Sequence, residues 1–140
     1  MEISFTGTRY GMSEFQRNSL ENFLLSLSRN NSITSFSHGC CLGADIQFHE
    51  IIRKLFGKYV TIKVFPSTAS TAAAIPEDSD YVHERLAPMK RNKLIVDAGK
   101  DLLLATPLHN QETIRSGTWS AIRYARKIGV NCMIFPRNKE

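Results

Sequence analysis

The chain has 140 residues, of which 42% are hydrophobic and 22% charged, with a formal net charge of +5. That composition excludes a disordered chain and suits one domain spanning residues 1–140 with its own core; no apolar run nears the roughly 20 residues that cross a membrane. The positive balance favours anionic partners through long-range attraction and says nothing about fold.

Residues 3–6 read as a first strand that ends at Gly7. Ser13 and Gln16 have capping-box spacing, and Phe15, Leu20, Phe23, Leu24 and Leu27 recur at helical intervals, so a first helix is expected from Ser13. Residues 33–37 form a second strand leading into a glycine-bounded turn. A second helix follows, with Phe48, Ile51, Ile52 and Leu55 on one face and Gly57 at its end. Residues 59–65 alternate as a third strand, stopped by Pro66. The stretch 67–85 is small and polar, holds Pro76 and shows no periodicity; it reads as a loop long enough to act as a lid over a ligand. Pro88 suits the first turn of a third helix running to Gly99, and residues 102–106 form a fourth strand. Ser116 caps a fourth helix ended by Gly129, and residues 131–135 complete a fifth strand. The alternation predicts an α/β three-layer, Rossmann-like sandwich with a mainly parallel five-stranded sheet.

The opening residues have no basic n-region or apolar h-region, and Cys40, Cys41 and Cys132 are odd in number with two adjacent. Reduced thiols in a cytoplasmic setting are expected, with neither a disulfide framework nor a CxxC metal site. His38, His49, His83 and His109 lack metal-ligand spacing, so no metal or cofactor is predicted. No GxSxG nucleophile elbow is present.

Three strand-to-helix turns carry glycine: Gly7-Thr8-Arg9, Gly39-Cys40-Cys41-Leu42-Gly43-Ala44-Asp45, and Ser116-Gly117-Thr118-Trp119. In an open parallel sheet such turns gather at the carboxyl ends of the strands, where unpaired helix N–H groups meet anions. Gly117 and Thr118 are candidate phosphate binders, the alternative being a glycine turn with a hydroxyl cap. Arg9 and Arg91 are candidate phosphate partners, since a guanidinium bonds two oxygens at once; a surface ion pair is the alternative for each. Asp45 either favours a helix start by its charge or accepts from a ribose hydroxyl. Trp119 either stacks on a base or packs in the core, and His49 reads as a packed histidine on the Asp45 face of its helix.

The motif set resembles the SLOG superfamily, the Rossmann-like group that includes DprA and the LOG phosphoribohydrolases. Gly7-Thr8-Arg9 resembles its G-[ST]-R turn, and the stretch from Gly39 to His49 resembles the G-x-A-x-G-[IA]-D-x-x-A-H stretch of DprA-like members. Arg91-Asn92 resembles its R-N pair, and Ser116-Gly117-Thr118 stands where the LOG motif P-G-G-x-G-T-x-x-E has G-T. Ala121 occupies the position of that motif's glutamate, and Ile114 and Arg115 replace its two leading glycines. The resemblance implies a site built from Gly7, Thr8, Arg9, Gly39, Gly43, Asp45, Arg91, Asn92, Ser116, Gly117, Thr118 and Trp119. With the glutamate missing, it favours binding of a nucleotide or nucleotide-derived signal over catalysis. The alternative is N-glycosidic hydrolysis of a nucleoside monophosphate, with Asp45, Glu112 and Arg91 as the catalytic candidates. Single-stranded DNA binding comes third, and a homo-oligomer built on the 122–128 helix face is a further expectation.

Overall fold

The protein is described by a computed structural model covering residues 1–69 and 75–139. Six strands form one parallel sheet: β1 (Glu2–Gly7), β2 (Ser35–His38), β3 (Thr61–Val64), β4 (Tyr81–Val82), β5 (Leu102–Thr106) and β6 (Cys132–Ile134), in the order β4-β3-β2-β1-β5-β6. Among the described residues four α-helices connect them: α1 (Glu14–Asn30), α2 (Ala44–Phe56), α3 (Pro88–Ala98) and α4 (Gly117–Ile128).

Strand alternation divides the apolar residues between the two faces of the sheet. Ile3, Phe5 and Leu104 join Leu20 and Leu24 of α1 and Phe48, Ile51 and Ile52 of α2 in the larger core. The intervening Leu103 and Ala105 pack on the opposite face with Val96 of α3 and Trp119, Ala121, Ile122 and Ala125 of α4. Phe5 stacks on Phe48 with ring centroids 4.1 Å apart. Each such fully buried side chain contributes about 1.5–3 kcal/mol.

The expected helix boundaries follow from local chemistry. Ser13 accepts from the Gln16 N–H while the Gln16 side chain accepts from the Ser13 N–H, a reciprocal capping box. Gln16 is fully buried, and its amide also donates to the carbonyls of Pro107 (2.8 Å) and Phe135 (3.0 Å), tying α1 to the ends of β5 and β6. Pro88 opens α3, and Gly129 closes α4 in the left-handed conformation.

One expectation needs correction. The sheet has six strands rather than five, because Tyr81–Val82 pairs with Lys63 and Val64 inside the stretch read as a loop. Two exposed residues carry no periodic signal; their pairing is set by Arg53 of α2, which donates to the Asp80 carboxylate (2.8 Å), and by that carboxylate's bond from the Ile62 N–H (2.8 Å). Within 122–128, Ile122 and Ala125 are buried in the core, whereas Arg126, Lys127 and Ile128 are exposed.

Candidate functional site

β1 and β5 are adjacent, yet β1 leads through α1 to β2 on one side and β5 leads through α4 to β6 on the other. Their following loops diverge and leave a crevice at the carboxyl edge of the sheet. A cavity of about 530 Å³ lies there, within the range of small-molecule sites. The turn after β1 supplies Gly7, Thr8, Arg9 and Tyr10; the turn before α2 supplies Cys41 and Asp45; α3 supplies Pro88, Arg91, Asn92 and Ile95. Leu108, His109, Thr113, Arg115, Ser116, Gly117 and Thr118 close it from the β5 side.

The first two turns are laced together. The Thr8 N–H donates to the Thr106 carbonyl (3.2 Å), and the Thr8 carbonyl accepts from Gly11 (3.1 Å) and from Ala44 (3.0 Å) at the start of α2. Gly43, the N-cap of α2, has φ +86°, and a Cβ there would lie 2.2 Å from the Arg9 carbonyl oxygen. At Gly7 a Cβ would come within 2.5 Å of both the Ala44 Cβ and the Thr106 hydroxyl. These glycines are therefore required by backbone conformation and close packing behind the cavity. Gly117 differs: a Cβ there would meet nothing within 4 Å, so its surroundings are open.

Asp45 is 5% exposed and lines the cavity floor. Its Oδ2 accepts from the Cys41 N–H (3.1 Å), whereas Oδ1 is buried without a partner among the described residues. Burial pushes the Asp45 carboxyl up to about 6, against the opposing pull of the Cys41 N–H and the Arg91 guanidinium. Arg91 lines the cavity but is largely engaged within the fold. It is 8% exposed, and its guanidinium donates to the Gly39 carbonyl (2.8 Å), the Phe65 carbonyl (3.3 Å), the Asn92 side-chain oxygen (3.0 Å) and the Cys41 Sγ (3.6 Å). It is a brace that holds the 39–45 turn against the end of β3. Gly39 serves that brace, since a Cβ on it would lie 2.6 Å from Arg91 Nη1, and Gly39 and Gly43 support the cavity from behind rather than lining it.

Other basic side chains on the lining are exposed. Arg9, His109 and Arg115 are exposed lining residues with no carboxylate within 4 Å among the described residues. Arg9 packs over the Tyr10 ring and donates to its hydroxyl (3.0 Å). Ser116 caps α4 by accepting from the Trp119 N–H (3.2 Å), and Gly117 and Thr118, whose first-turn N–H groups have no intrahelical acceptor, line the cavity. Arg115, Tyr10 and His109 were not among the sequence-derived candidates. The signal for Arg115 was a basic residue directly before the Ser-Gly-Thr turn.

Two further candidates leave the site. Glu112 does not line the cavity and is bound to Arg123 of α4 at 2.9 Å. Trp119 packs in the α3/α4 core at 5% exposure, so of its two readings the packing one holds. None of the described residues between 67 and 85 lines the cavity, and residues 70–74 of the expected lid lie outside the described residues.

His49 belongs to a buried hydrogen-bond chain. The Cys40 N–H donates to His38 Nδ1 (3.0 Å), so His38 carries its proton on Nε2 and donates to His49 Nδ1 (2.8 Å); His49 Nε2 then donates to Asp78 (2.7 Å). Burial and the neighbouring His49 hold His38 down at about 3, and the chain ties residue 78 to the turn that carries Cys41. Among the described residues no cluster of His, Cys, Asp or Glu is arranged to hold a metal ion. No family model matches the chain, and no curated protein matches it.

Proposed function

We propose that the cavity binds a nucleotide or nucleotide-derived anion as a sensing or sequestering module. One observation carries the reading: Arg9, Arg115 and the α4 N-terminus share the cavity with a buried carboxylate, Asp45, whose Oδ1 has no partner among the described residues. A buried acceptor left open costs free energy unless a ligand donor fills it. A ligand that fits both ends carries phosphate at one end and hydroxyl donors at the other, as a phosphorylated ribose does. Phe5, Ile95, Leu108 and Pro88 add apolar wall suited to a base. The resemblance to SLOG domains points the same way.

The test is mass spectrometry of small molecules released from freshly purified, heat-denatured protein, followed by calorimetry with the compound found or with a nucleotide panel. Binding that weakens in Arg115→Ala and in Asp45→Asn supports the reading; unchanged affinity in both removes this cavity as the site.

A hydrolytic reading is favoured by one observation, a carboxyl in the cavity held near 6, within the range useful for acid–base work. Of the three catalytic candidates, Asp45 lines the cavity with a buried oxygen that has no partner among the described residues, Arg91 lines it as a brace, and Glu112 lies off it. Ala121, at the family glutamate's position, is a core residue of α4. Release of free base that disappears in Asp45→Asn would establish hydrolysis. No release across nucleoside monophosphates leaves binding as the activity. Strand binding has less support, because Tyr10 is the one exposed aromatic among the described lining residues, where a stacking groove uses several.

A further inference from the structure

The three thiols occupy different surroundings. Cys40 is fully buried, Cys132 sits on the sheet-edge strand β6, and Cys41 lines the cavity half-buried. Both Nη1 and Nη2 of Arg91 lie 3.6 Å from the Cys41 Sγ, so a guanidinium faces the sulfur with both its arms. Beside it, Asp45 lines the same cavity, holds the Cys41 N–H on one oxygen and has its other oxygen buried without a partner among the described residues. The cavity is also lined by Arg9 and Arg115, whose charges attract anions.

We infer that Cys41 is a modification site, whose thiol forms a mixed disulfide with a small anionic disulfide admitted by the cavity, and that the appended group then fills the space a ligand would take. In the exchange the Cys41 thiol releases its proton to water, and its sulfur attacks one sulfur of the incoming disulfide. The incoming S–S bond breaks and a new S–S bond to Cys41 forms. The departing half leaves with the bonding pair as a thiolate and takes up a proton. The disulfide is thereby reduced to one free thiol plus the half retained on Cys41, and Cys41 is oxidised. Arg91 stabilises the attacking thiolate. Burial and the Asp45 charge hold the thiol above its usual range, with Arg91 opposing them. Replacing that charge with a neutral isostere therefore accelerates the exchange at neutral pH, which a merely structural role for Asp45 does not predict.

The modification itself does not depend on the nucleotide reading; only its consequence for binding does. The probe is dithiobis(nitrobenzoate), a dianionic aromatic disulfide, with bis(hydroxyethyl) disulfide as the neutral comparison. Released thiolate is followed by absorbance and the modified residue by peptide mass mapping. The first equivalent is expected on Cys41 and absent in Cys41→Ser. Arg9→Ala combined with Arg115→Ala is expected to slow the anionic probe by about tenfold and leave the neutral one little changed. Asp45→Asn is expected to speed both. A first equivalent on Cys132, an equal loss of rate for both probes, or a slower reaction in Asp45→Asn would overturn the assignment. None of these measurements uses a nucleotide, so a failure of nucleotide binding is read separately.

Discussion

Asp45→Asn tests whether the protein carries an ionised carboxylate at the expense of its own stability. Burial raises this carboxyl from 3.8 in the unfolded chain to about 6 in the fold. A raised folded value means stability that is complete below 3.8 and lost as pH rises through 6. A shift of that size corresponds to about 3 kcal/mol at neutral pH, at a site too buried for solvent screening. Asparagine keeps the shape and an acceptor for the Cys41 N–H, removes the charge, and leaves its NH2 group in the unpartnered Oδ1 position. Desolvating that amide offsets part of the gain, so the net expectation is a stabilisation of about 1–2 kcal/mol near pH 8. His38 acts in the opposite sense: held at about 3 against 6.5 unfolded, it supplies stability that is complete above 6.5 and falls away as pH drops towards 3. In the wild-type protein the two slopes largely cancel between 3.8 and 6. In Asp45→Asn only the His38 slope remains, at up to about 1.4 kcal/mol per pH unit. Urea unfolding followed by the fluorescence of Trp119, the only tryptophan, reads both effects. The variant should be more stable than wild type at about pH 8 and lose that advantage by about pH 4. A pH-independent difference between the two proteins, or a less stable variant at the higher pH, would refute the reasoning.

Gly7→Ala forces a Cβ to within 2.5 Å of Ala44 and Thr106 and should cost about 2 kcal/mol or more in urea unfolding. His49→Phe leaves the His38 N–H buried without an acceptor and removes the donor to Asp78; a loss of about 2–3 kcal/mol is expected, with faster amide exchange at residues 78–80. Arg115→Ala should weaken the bound nucleotide about tenfold by calorimetry, the scale of one charge-assisted hydrogen bond to phosphate. Glu112→Gln should leave that affinity unchanged, because Glu112 is engaged with Arg123 away from the cavity.

What the sequence by itself determined is what neighbours along the chain decide. The Ser13–Gln16 capping box, Pro88 at the start of α3 and Gly129 at the end of α4 act over one helical turn, so these boundaries were legible within a residue or two. The run of residues 3–6 likewise marked a strand, whereas the burial of Ser4, which covers both faces of β1, came only with the tertiary structure. The three glycine turns were legible as turns, and the parallel topology implied that they meet. Tertiary structure decided which side chains at that meeting are free. Arg91 looks like an available cation until the carbonyls of Gly39 and Phe65, 52 and 26 residues away, are brought to it. Arg115 looks like an interruption of a motif until the cavity opens in front of it. β4 exists because β3 offers an edge and Arg53 positions Asp80, and the His38–His49–Asp78 chain spans three separate segments. Local propensity acts through bonds a few residues apart. The free or engaged state of a buried charge depends on partners that only the folded chain brings within 3–4 Å, and no spacing rule encodes them.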